Sequence, residues 1–133
     1  MKKEILKAGI IGSGFAAAFH YEALLRVYGV SVEIAGAYSS TPQKLQQFAG
    51  SRNIKAFGSL EELINGVDIV HVCTPPVTHE PIVVAALNQN KYVIVEKPFT
   101  GYFGDGSEGF NGDRFPKSKG LEAALGSIRN MLQ

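Results

Sequence analysis

The sequence predicts an α/β fold in a single domain, with a doubly wound parallel sheet and helices on both of its faces. Short apolar segments alternate with segments of helical periodicity over residues 5–95, which is the order of a parallel sheet with helical crossovers. Residues 67–73 are almost continuously apolar, as in a strand that is covered on both faces. The strand-like segments end in glycine, serine, threonine or proline, at the sheet edge where such folds bind ligands.

The first strand is predicted over residues 6–11, followed by a helix from residue 14 to about residue 28. Gly29 is the residue expected to end this helix. Apolar residues at helical spacing predict the buried face of the helix, which consists of Phe15, Phe19, Ala23 and Val27.

The second strand is predicted over residues 32–38, and a helix follows it to Gly50. Thr41 is the expected N-cap of that helix, with Pro42 in its first turn. A short third strand is predicted at residues 54–57. The next helix starts at a capping box, Ser59 to Glu62, and ends at Gly66.

The fourth strand is predicted over residues 67–73, and a Thr-Pro-Pro turn ends it. Thr78 is the expected cap of a helix over about residues 79–89, and Asn90 can adopt a left-handed conformation after it. The fifth strand covers residues 92–95. We therefore assign residues 1–100 to one domain, residues 101–120 to a glycine-rich loop or linker, with a lid as the alternative, and residues 121–133 to a C-terminal helix.

The turn after the first strand has the pattern G-x-G-x-x-A at Gly12, Gly14 and Ala17. The first glycine allows a tight turn, the second lets a pyrophosphate approach the backbone, and the small alanine lets the helix lie close to the strand. Free N–H groups and the helix dipole would then face the phosphates. The pattern predicts a dinucleotide site because it follows a strand and begins a helix.

Four segments are predicted to meet at the carboxyl edge of the sheet, where ligands of such folds bind. These segments are residues 12–14, 39–40, 74–76 and 96–98, and they supply the predicted cofactor-binding residues Gly12, Ser13, Gly14, Ser39, Ser40, Thr74, Pro75, Pro76, Glu96 and Lys97. Their neighbours Phe15, Ala16, Lys44, Cys73 and His79 complete the set of predicted cofactor-binding residues.

Composition argues against several other classes of function. The net charge of +1 over 133 residues offers no basic surface for nucleic acid or membrane lipid. No apolar run is long enough for a membrane span, and residues 1–4 lead into a strand rather than a signal peptide. One cysteine and three histidines without ligand spacing predict no metal site, and a reducing cytoplasmic location is expected.

The isolated polar residues have simpler interpretations. His20 is expected to be a partly exposed helix residue, and His71 a hydrogen-bonded core residue. Cys73 is expected to behave as a small buried hydrophobe, since no base accompanies it. His79 is expected to have either a contact role or a capping or surface role. Lys97 would be a surface lysine by default, but it follows a buried strand.

Three motifs together resemble the N-terminal domain of the Gfo/Idh/MocA oxidoreductases: residues 9–16 (GIIGSGFA), 73–79 (CTPPVTH) and 95–99 (VEKPF). The resemblance covers about residues 5–100 and implies a Rossmann fold and hydride transfer between a nicotinamide cofactor and a sugar or polyol. It implies that the threonine-proline turn and His79 contact the cofactor and that Glu96 lies near the nicotinamide. It also implies that Lys97 is catalytic and that its bond to Pro98 is cis.

The sequence departs from this family in length and in one position of the site. Residues 101–133 are too few for the family's second, substrate-binding domain, so we expect a shortened chain that lacks it and, with it, the sheet through which relatives form homo-oligomers. Tyr38, Ser39 and Ser40 stand where an NAD-preferring site has an acidic residue, which favours NADP over NAD. The alternatives are a binding or sensing module without catalysis and a fragment that keeps the fold but binds nothing.

Overall fold

The computed structural model describes residues 4–133, so the predicted transition from residues 1–3 into the first strand lies partly outside the described residues. The elements in chain order are β1 (Ile5–Ile11), α1 (Phe15–Leu24), β2 (Ser31–Tyr38), α2 (Pro42–Arg52), β3 (Lys55–Ala56), α3 (Leu60–Asn65), β4 (Ile69–Val72), α4 (His79–Leu87), β5 (Tyr92–Val95) and α5 (Lys117–Leu132). A short 3₁₀ turn, Pro76–Thr78, precedes α4.

The five strands form one parallel sheet in the order β3-β2-β1-β4-β5, which confirms the predicted fold class. The order reverses at β1: the chain moves from β1 outward through β2 to β3, then returns to the other side of β1 for β4 and β5. Such a reversal opens a crevice at the carboxyl ends of the central strands.

Two apolar cores cover the two faces of the sheet, because successive strand residues point to opposite faces. Ile11, Val70 and Val72 pack with α3, α4 and Met131 of α5. Ala8, Ile10 and Ala37 face the opposite way and pack with α1 and α2.

The predicted contact face of α1 is wrong. Ala17 and Leu24 are its buried residues, whereas Phe15 and Phe19 are 87% and 66% exposed. The small Ala17 side chain is completely buried, because the helix lies close to the sheet there. The helix also ends at Leu24, well before residue 28, and Gly29 lies in the following loop with φ +90°.

The predicted helix caps are partly confirmed. Ser59 accepts a hydrogen bond from the Glu62 N–H at 3.1 Å, and Gly66 ends α3 as expected. Thr41 and Thr78 make no side-chain cap bond. The Thr78 hydroxyl instead donates towards Thr74 Oγ1 at 2.6 Å or the Pro75 carbonyl at 2.8 Å, so it stabilises the preceding turn.

The end of α2 also differs from the prediction. The helix continues through Gly50 to Arg52, and Asn53 ends it in a left-handed conformation with φ 52°. A left-handed residue lets backbone N–H groups reach the last free carbonyls of the helix, and asparagine tolerates that conformation. Asn90 adopts the predicted left-handed conformation, with φ 55°.

The glycine-rich segment after β5 contains an aromatic cluster. The Tyr102 ring lies 4.7 Å from Phe115 and 5.5 Å from Phe110, measured between ring centroids. α5 begins at Lys117, directly after Pro116, rather than near Gly120. The proposed division into domain, linker and helix stays a prediction.

No helix in residues 4–133 is long and apolar enough to cross a membrane.

Candidate functional site

The strand register aligns the four predicted segments at one edge of the sheet. Ile11 pairs with Tyr38 and with Val72, and Val72 pairs with Val95. Each strand therefore ends at the same level. The residues that follow, Gly12, Ser39, Cys73 and Glu96, stand side by side across the carboxyl edge, where α/β sheets bind their ligands.

The two glycines of the first turn meet different surroundings. Gly12 has φ +120°, and a Cβ there would lie 2.7 Å from the Cys73 carbonyl oxygen, so only glycine fits. Gly14 has φ −95°, and a Cβ there would have no neighbouring atom within 4 Å. Gly14 therefore borders open space at the start of α1.

That open space suits a diphosphate. Gly14 caps α1 without any side-chain hydrogen bond, and the first turn contains no acidic residue. The first N–H groups of a helix have no acceptor within the helix, and its dipole favours an anion there. Phe15 and Ala16 contribute backbone N–H groups to this turn. The loop fits the pyrophosphate of a dinucleotide, since it combines close approach with free donors.

Two of the predicted serines, Ser13 in the glycine turn and Ser39 after β2, are hydrogen-bonded to each other. Ser13 Oγ donates to Ser39 Oγ at 3.0 Å, and Ser39 Oγ also accepts from the Thr41 N–H at 3.3 Å. Ser40 and Lys44 are exposed. A groove of about 510 Å³ lies between α1 and α2; it is lined by Ser13, Gly14, Phe15, Ala18, Lys44, Gln47, Phe48, Ser51 and Arg52.

Arg52 is a residue of this groove that the sequence interpretation missed. Its guanidinium carbon lies 4.0 Å from the centre of the Phe48 ring and 5.2 Å from that of Tyr21. Within residues 4–133 its buried Nε has no hydrogen-bond partner. Helical spacing was the available signal, because Lys44, Phe48 and Arg52 follow one another at intervals of one turn of α2.

His79, which is completely buried, supports the Thr74–Pro76 turn. The His79 ring nitrogens lie 2.9 Å from the Thr74 carbonyl and 3.2 Å from the Phe99 carbonyl. Burial leaves no part of this side chain open to a cofactor. We correct the expected direct contact: His79 supports the turn, because both of its nitrogens face backbone oxygens.

Cys73 lies at the centre of the edge, and its side chain is buried. Burial, and secondarily the Glu96 carboxylate, raise the pKa of the Cys73 thiol to about 12. The thiol therefore stays protonated near neutrality and is no nucleophile.

Glu96 is held by His20, which in turn contacts His71; both histidines are distant from Glu96 in sequence. The His20 ring lies with Nε2 2.7 Å from Glu96 Oε1 and with Nδ1 2.9 Å from His71 Nδ1. Glu96 Oε2 accepts from the Lys97 backbone N–H at 3.2 Å. The hydrogen bond from His20 is the main reason that the pKa of Glu96 is lowered.

Lys97 is exposed, although the strand that it follows was expected to be buried. Its ammonium makes none of the ion pairs found among the described residues, and the Glu96 carboxylate faces His20 instead. The Lys97–Pro98 peptide bond is cis, as the resemblance implied.

Comparisons with known proteins agree with this geometry. A profile of the GFO_IDH_MocA family, described as "Oxidoreductase family, NAD-binding Rossmann fold", matches residues 6–110. Glucose-6-phosphate 3-dehydrogenase of Bacillus subtilis is 33% identical over 92 residues, covering 69% of this chain and 26% of that enzyme. Inositol 2-dehydrogenase of Salmonella paratyphi B is 33% identical over 97 residues, covering 70% of this chain and 29% of that enzyme.

A solved structure of biliverdin reductase from Synechocystis, in complex with biliverdin and NADP⁺, superposes with a TM-score of 0.65 and 26% identity. The match covers 71% of this chain and 30% of that one. The chain thus spans less than a third of the length of these three proteins. Because the family profile extends from β1 to beyond the Lys97 turn, the chain belongs to the Gfo/Idh/MocA oxidoreductase family, and the matched part is its NAD-binding Rossmann domain.

Proposed function

We propose that this chain binds a nicotinamide dinucleotide across the carboxyl edge of its sheet, as part of an oxidoreductase that acts on a CH–OH group of a sugar or polyol. The observation that carries this proposal is the open space at Gly14, at the start of α1 and in line with the ends of β2, β4 and β5. The names of the relatives, a sugar-phosphate dehydrogenase and an inositol dehydrogenase, support the substrate class.

The proposed binding mode follows the four segments. The pyrophosphate binds to the N–H groups of residues 14–16, over the Gly12 turn. The Thr74–Pro76 turn, supported by His79, packs along the middle of the cofactor. The nicotinamide lies towards Glu96, at the end of β5.

Lys97 has the proposed catalytic role. The cofactor supplies the hydride acceptor or donor, and the protein positions it. Lys97 forms a hydrogen bond with the substrate oxygen. As a neutral amine it accepts the hydroxyl proton when the alcohol is oxidised, and as an ammonium it donates a proton to that oxygen when the carbonyl is reduced. Cofactor and substrate would themselves cover this exposed side chain.

We further propose a preference for NADP over NAD. No carboxylate follows β2, so a 2′-phosphate meets no repulsion there. Ser39, Ser40 and Lys44 offer donors, and Arg52 adds a second positive charge to the same groove. Hydrogen bonds to a charged group are worth on the order of 1.5–3 kcal/mol each before desolvation losses.

Calorimetric titration with NADP⁺ and NAD⁺ tests both the binding and the preference. Lys44→Met should weaken NADP⁺ binding by about tenfold, the equivalent of one modest charge-assisted contact, and leave NAD⁺ binding unchanged. Lys91→Met is the matched control, because Lys91 precedes β5 at the opposite edge of the sheet. Tighter binding of NAD⁺ than of NADP⁺ by the unmodified chain would contradict the preference, and binding of neither would contradict the proposed function.

A second candidate function is cofactor binding without catalysis, as in a sensing module. The exposure of Lys97 favours it, since no described residue desolvates the ammonium. The discriminating test is turnover by the chain joined to a substrate-binding domain, since the chain alone is expected to oxidise no polyol. Cofactor binding without turnover in that form would support this alternative, and turnover would support the oxidoreductase.

A further inference from the structure

The contact between His20 and His71 restricts how their Nδ1 atoms can be protonated. Their Nδ1 atoms are 2.9 Å apart, and the rings meet edge to face at 87°. Two N–H groups cannot point at each other at this distance, and two lone pairs would repel. The contact is therefore a hydrogen bond only when the two nitrogens share one proton.

The Glu96 contact decides which histidine holds that proton. An ionised carboxylate only accepts, so at 2.7 Å His20 Nε2 must carry a hydrogen. In a neutral His20 ring, Nδ1 is then the acceptor, and His71 donates from Nδ1. When His20 becomes an imidazolium, both of its nitrogens donate, so His71 must expose its Nδ1 lone pair and carry its hydrogen on Nε2.

We propose that His20 and His71 form a proton-sharing pair whose charge state controls how Glu96 holds the Lys97 turn, which makes both histidines positioning residues of the site. The proton balance is simple: the pair takes up one solvent proton, the shared proton moves from His71 Nδ1 to His20 Nδ1, and His71 gains a hydrogen on Nε2. The charge then resides on His20, next to the carboxylate. The link to hydride transfer rests on the proposed function, but the proton sharing does not.

The surroundings of the pair suit this behaviour. Solvent reaches it through a groove of about 210 Å³ lined by both imidazoles and by Phe19, Ala23, Leu24, Val27 and Ile94. Burial, and secondarily the neighbouring His20, lower the pKa of His71 to about 4, so a positive charge on His71 is disfavoured near neutrality.

The other ionisable groups near the pair are Cys73, Glu96 and Lys97. The raised pKa of the Cys73 thiol keeps it neutral. Lys97 acts on the carboxylate through its backbone N–H and, from its ammonium, only through space. Glu96 is thus the anion to which the pair responds.

Nitrogen NMR of the imidazole rings tests the pair in the 133-residue chain itself. At pH 8 we expect His20 to carry its hydrogen on Nε2 and His71 on Nδ1. As the pH falls, His71 should change to the Nε2–H form with the same midpoint at which His20 becomes charged. Finding His71 in the Nε2–H form at pH 8, or a titration of His20 without a change at His71, would overturn the proposal.

The NMR signal of the Lys97 amide shows whether the charge state of the His20–His71 pair affects the Lys97 turn, because this N–H donates a hydrogen bond to Glu96 Oε2. Its chemical shift should titrate with the midpoint of His20. His20→Gln can still donate to Glu96 but takes no charge, so the amide signal should stay near its pH 8 position and lose this titration. His20→Ala should shift the signal at every pH. An unchanged titration in His20→Gln would overturn the coupling.

Glu22→Gln is the matched control, since Glu22 lies on the same helix but pairs with Arg26. It should leave the Lys97 titration unchanged, and a loss of that titration would overturn the assignment to His20.

A cofactor measurement separates this inference from the proposed function. Charge on His20 should disfavour the positively charged oxidised nicotinamide. The ratio of the Kd for oxidised to that for reduced cofactor should therefore rise roughly threefold to tenfold as the pair takes up its proton. His20→Gln should make this ratio independent of pH. A chain that binds no cofactor but shows the tautomer change contradicts the proposed function alone, whereas a ratio that stays flat in the unmodified chain contradicts the role of the pair.

Discussion

At the scale of single residues, substitutions at Gly12 and Gly14 should distinguish effects on the stability of the fold from effects on ligand affinity. Gly12→Ala should lower the free energy of unfolding by about 1–3 kcal/mol, because its φ of +120° and the Cys73 carbonyl at 2.7 Å both oppose a Cβ. Urea unfolding measures this loss.

Gly14→Ala is the matched variant. Its backbone conformation suits alanine and its surroundings are open, so unfolding should change by less than about 0.5 kcal/mol. The added methyl group would occupy the space proposed for the pyrophosphate, and cofactor affinity should fall about tenfold or more. Calorimetry showing unchanged affinity in Gly14→Ala would contradict the proposed binding mode.

His71 should make stability depend on pH. Its pKa is lowered from 6.5 to about 4 in the folded chain, so below pH 6.5 the unfolded chain binds a proton that the folded chain does not. The unfolding free energy therefore falls as the pH decreases from 6.5 to 4, by roughly 2–3 kcal/mol over the whole interval.

Urea unfolding at pH 7 and pH 4.5 measures this dependence. His71→Phe keeps an aromatic ring in the strand but cannot bind the proton, so it should lose less stability between these pH values than the unmodified chain. Equal losses in both proteins would show that burial of His71 does not cause the dependence.

At the scale of elements, the caps of α2 and α3 predict unequal costs for similar substitutions. Ser59→Ala removes the acceptor for the Glu62 N–H and should cost about 1 kcal/mol of unfolding free energy. Thr41→Ala should cost only a few tenths of a kcal/mol, because the Thr41 side chain caps nothing. Thermal unfolding of the two variants provides the comparison, and equal costs would contradict the assigned cap.

The α1 helix shows why local periodicity can mislead about packing. Phe15 and Phe19 lie at helical spacing, but they are exposed and point away from the sheet. The helix begins directly at the glycine turn and lies close to the sheet, so alanine suits the contact face better than phenylalanine. Periodicity locates the stripes of a helix, whereas the distance to the sheet decides which stripe is buried.

At the scale of the whole molecule, we expect this 133-residue chain to bind a nicotinamide cofactor weakly and to oxidise no polyol alone. Hydride transfer needs a substrate held within near-attack distance of the nicotinamide, and the described residues form no enclosure over Lys97. Steady-state turnover by the purified chain, with contaminants excluded, would contradict this expectation.

Lys97→Met tests the catalytic assignment. In the chain it should leave cofactor affinity nearly unchanged, because Lys97 contacts the substrate in our proposal. In any form of the protein that turns over substrate, it should lower the rate of the chemical step by roughly 10²–10⁴-fold. A variant that keeps its rate and loses cofactor affinity would make Lys97 a binding residue.

The sequence by itself determined the parallel sheet and the position of its glycine turn. Alternating apolar segments and the glycine pattern are local signals, because each lies within a single strand–turn–helix unit of the sequence. Gly12, Ser39, Thr74 and Glu96 could be predicted at one edge, since each directly follows a predicted strand. The structure confirms the fold and brings these residues together.

Only the tertiary structure decided how the side chains at this edge meet. His20, His71 and Glu96 come from a helix, a strand and a loop that are far apart in sequence. Such contacts depend on strand register, helix packing and the room left by each neighbour. Because those quantities arise when distant segments pack together, no local pattern in the sequence encodes them.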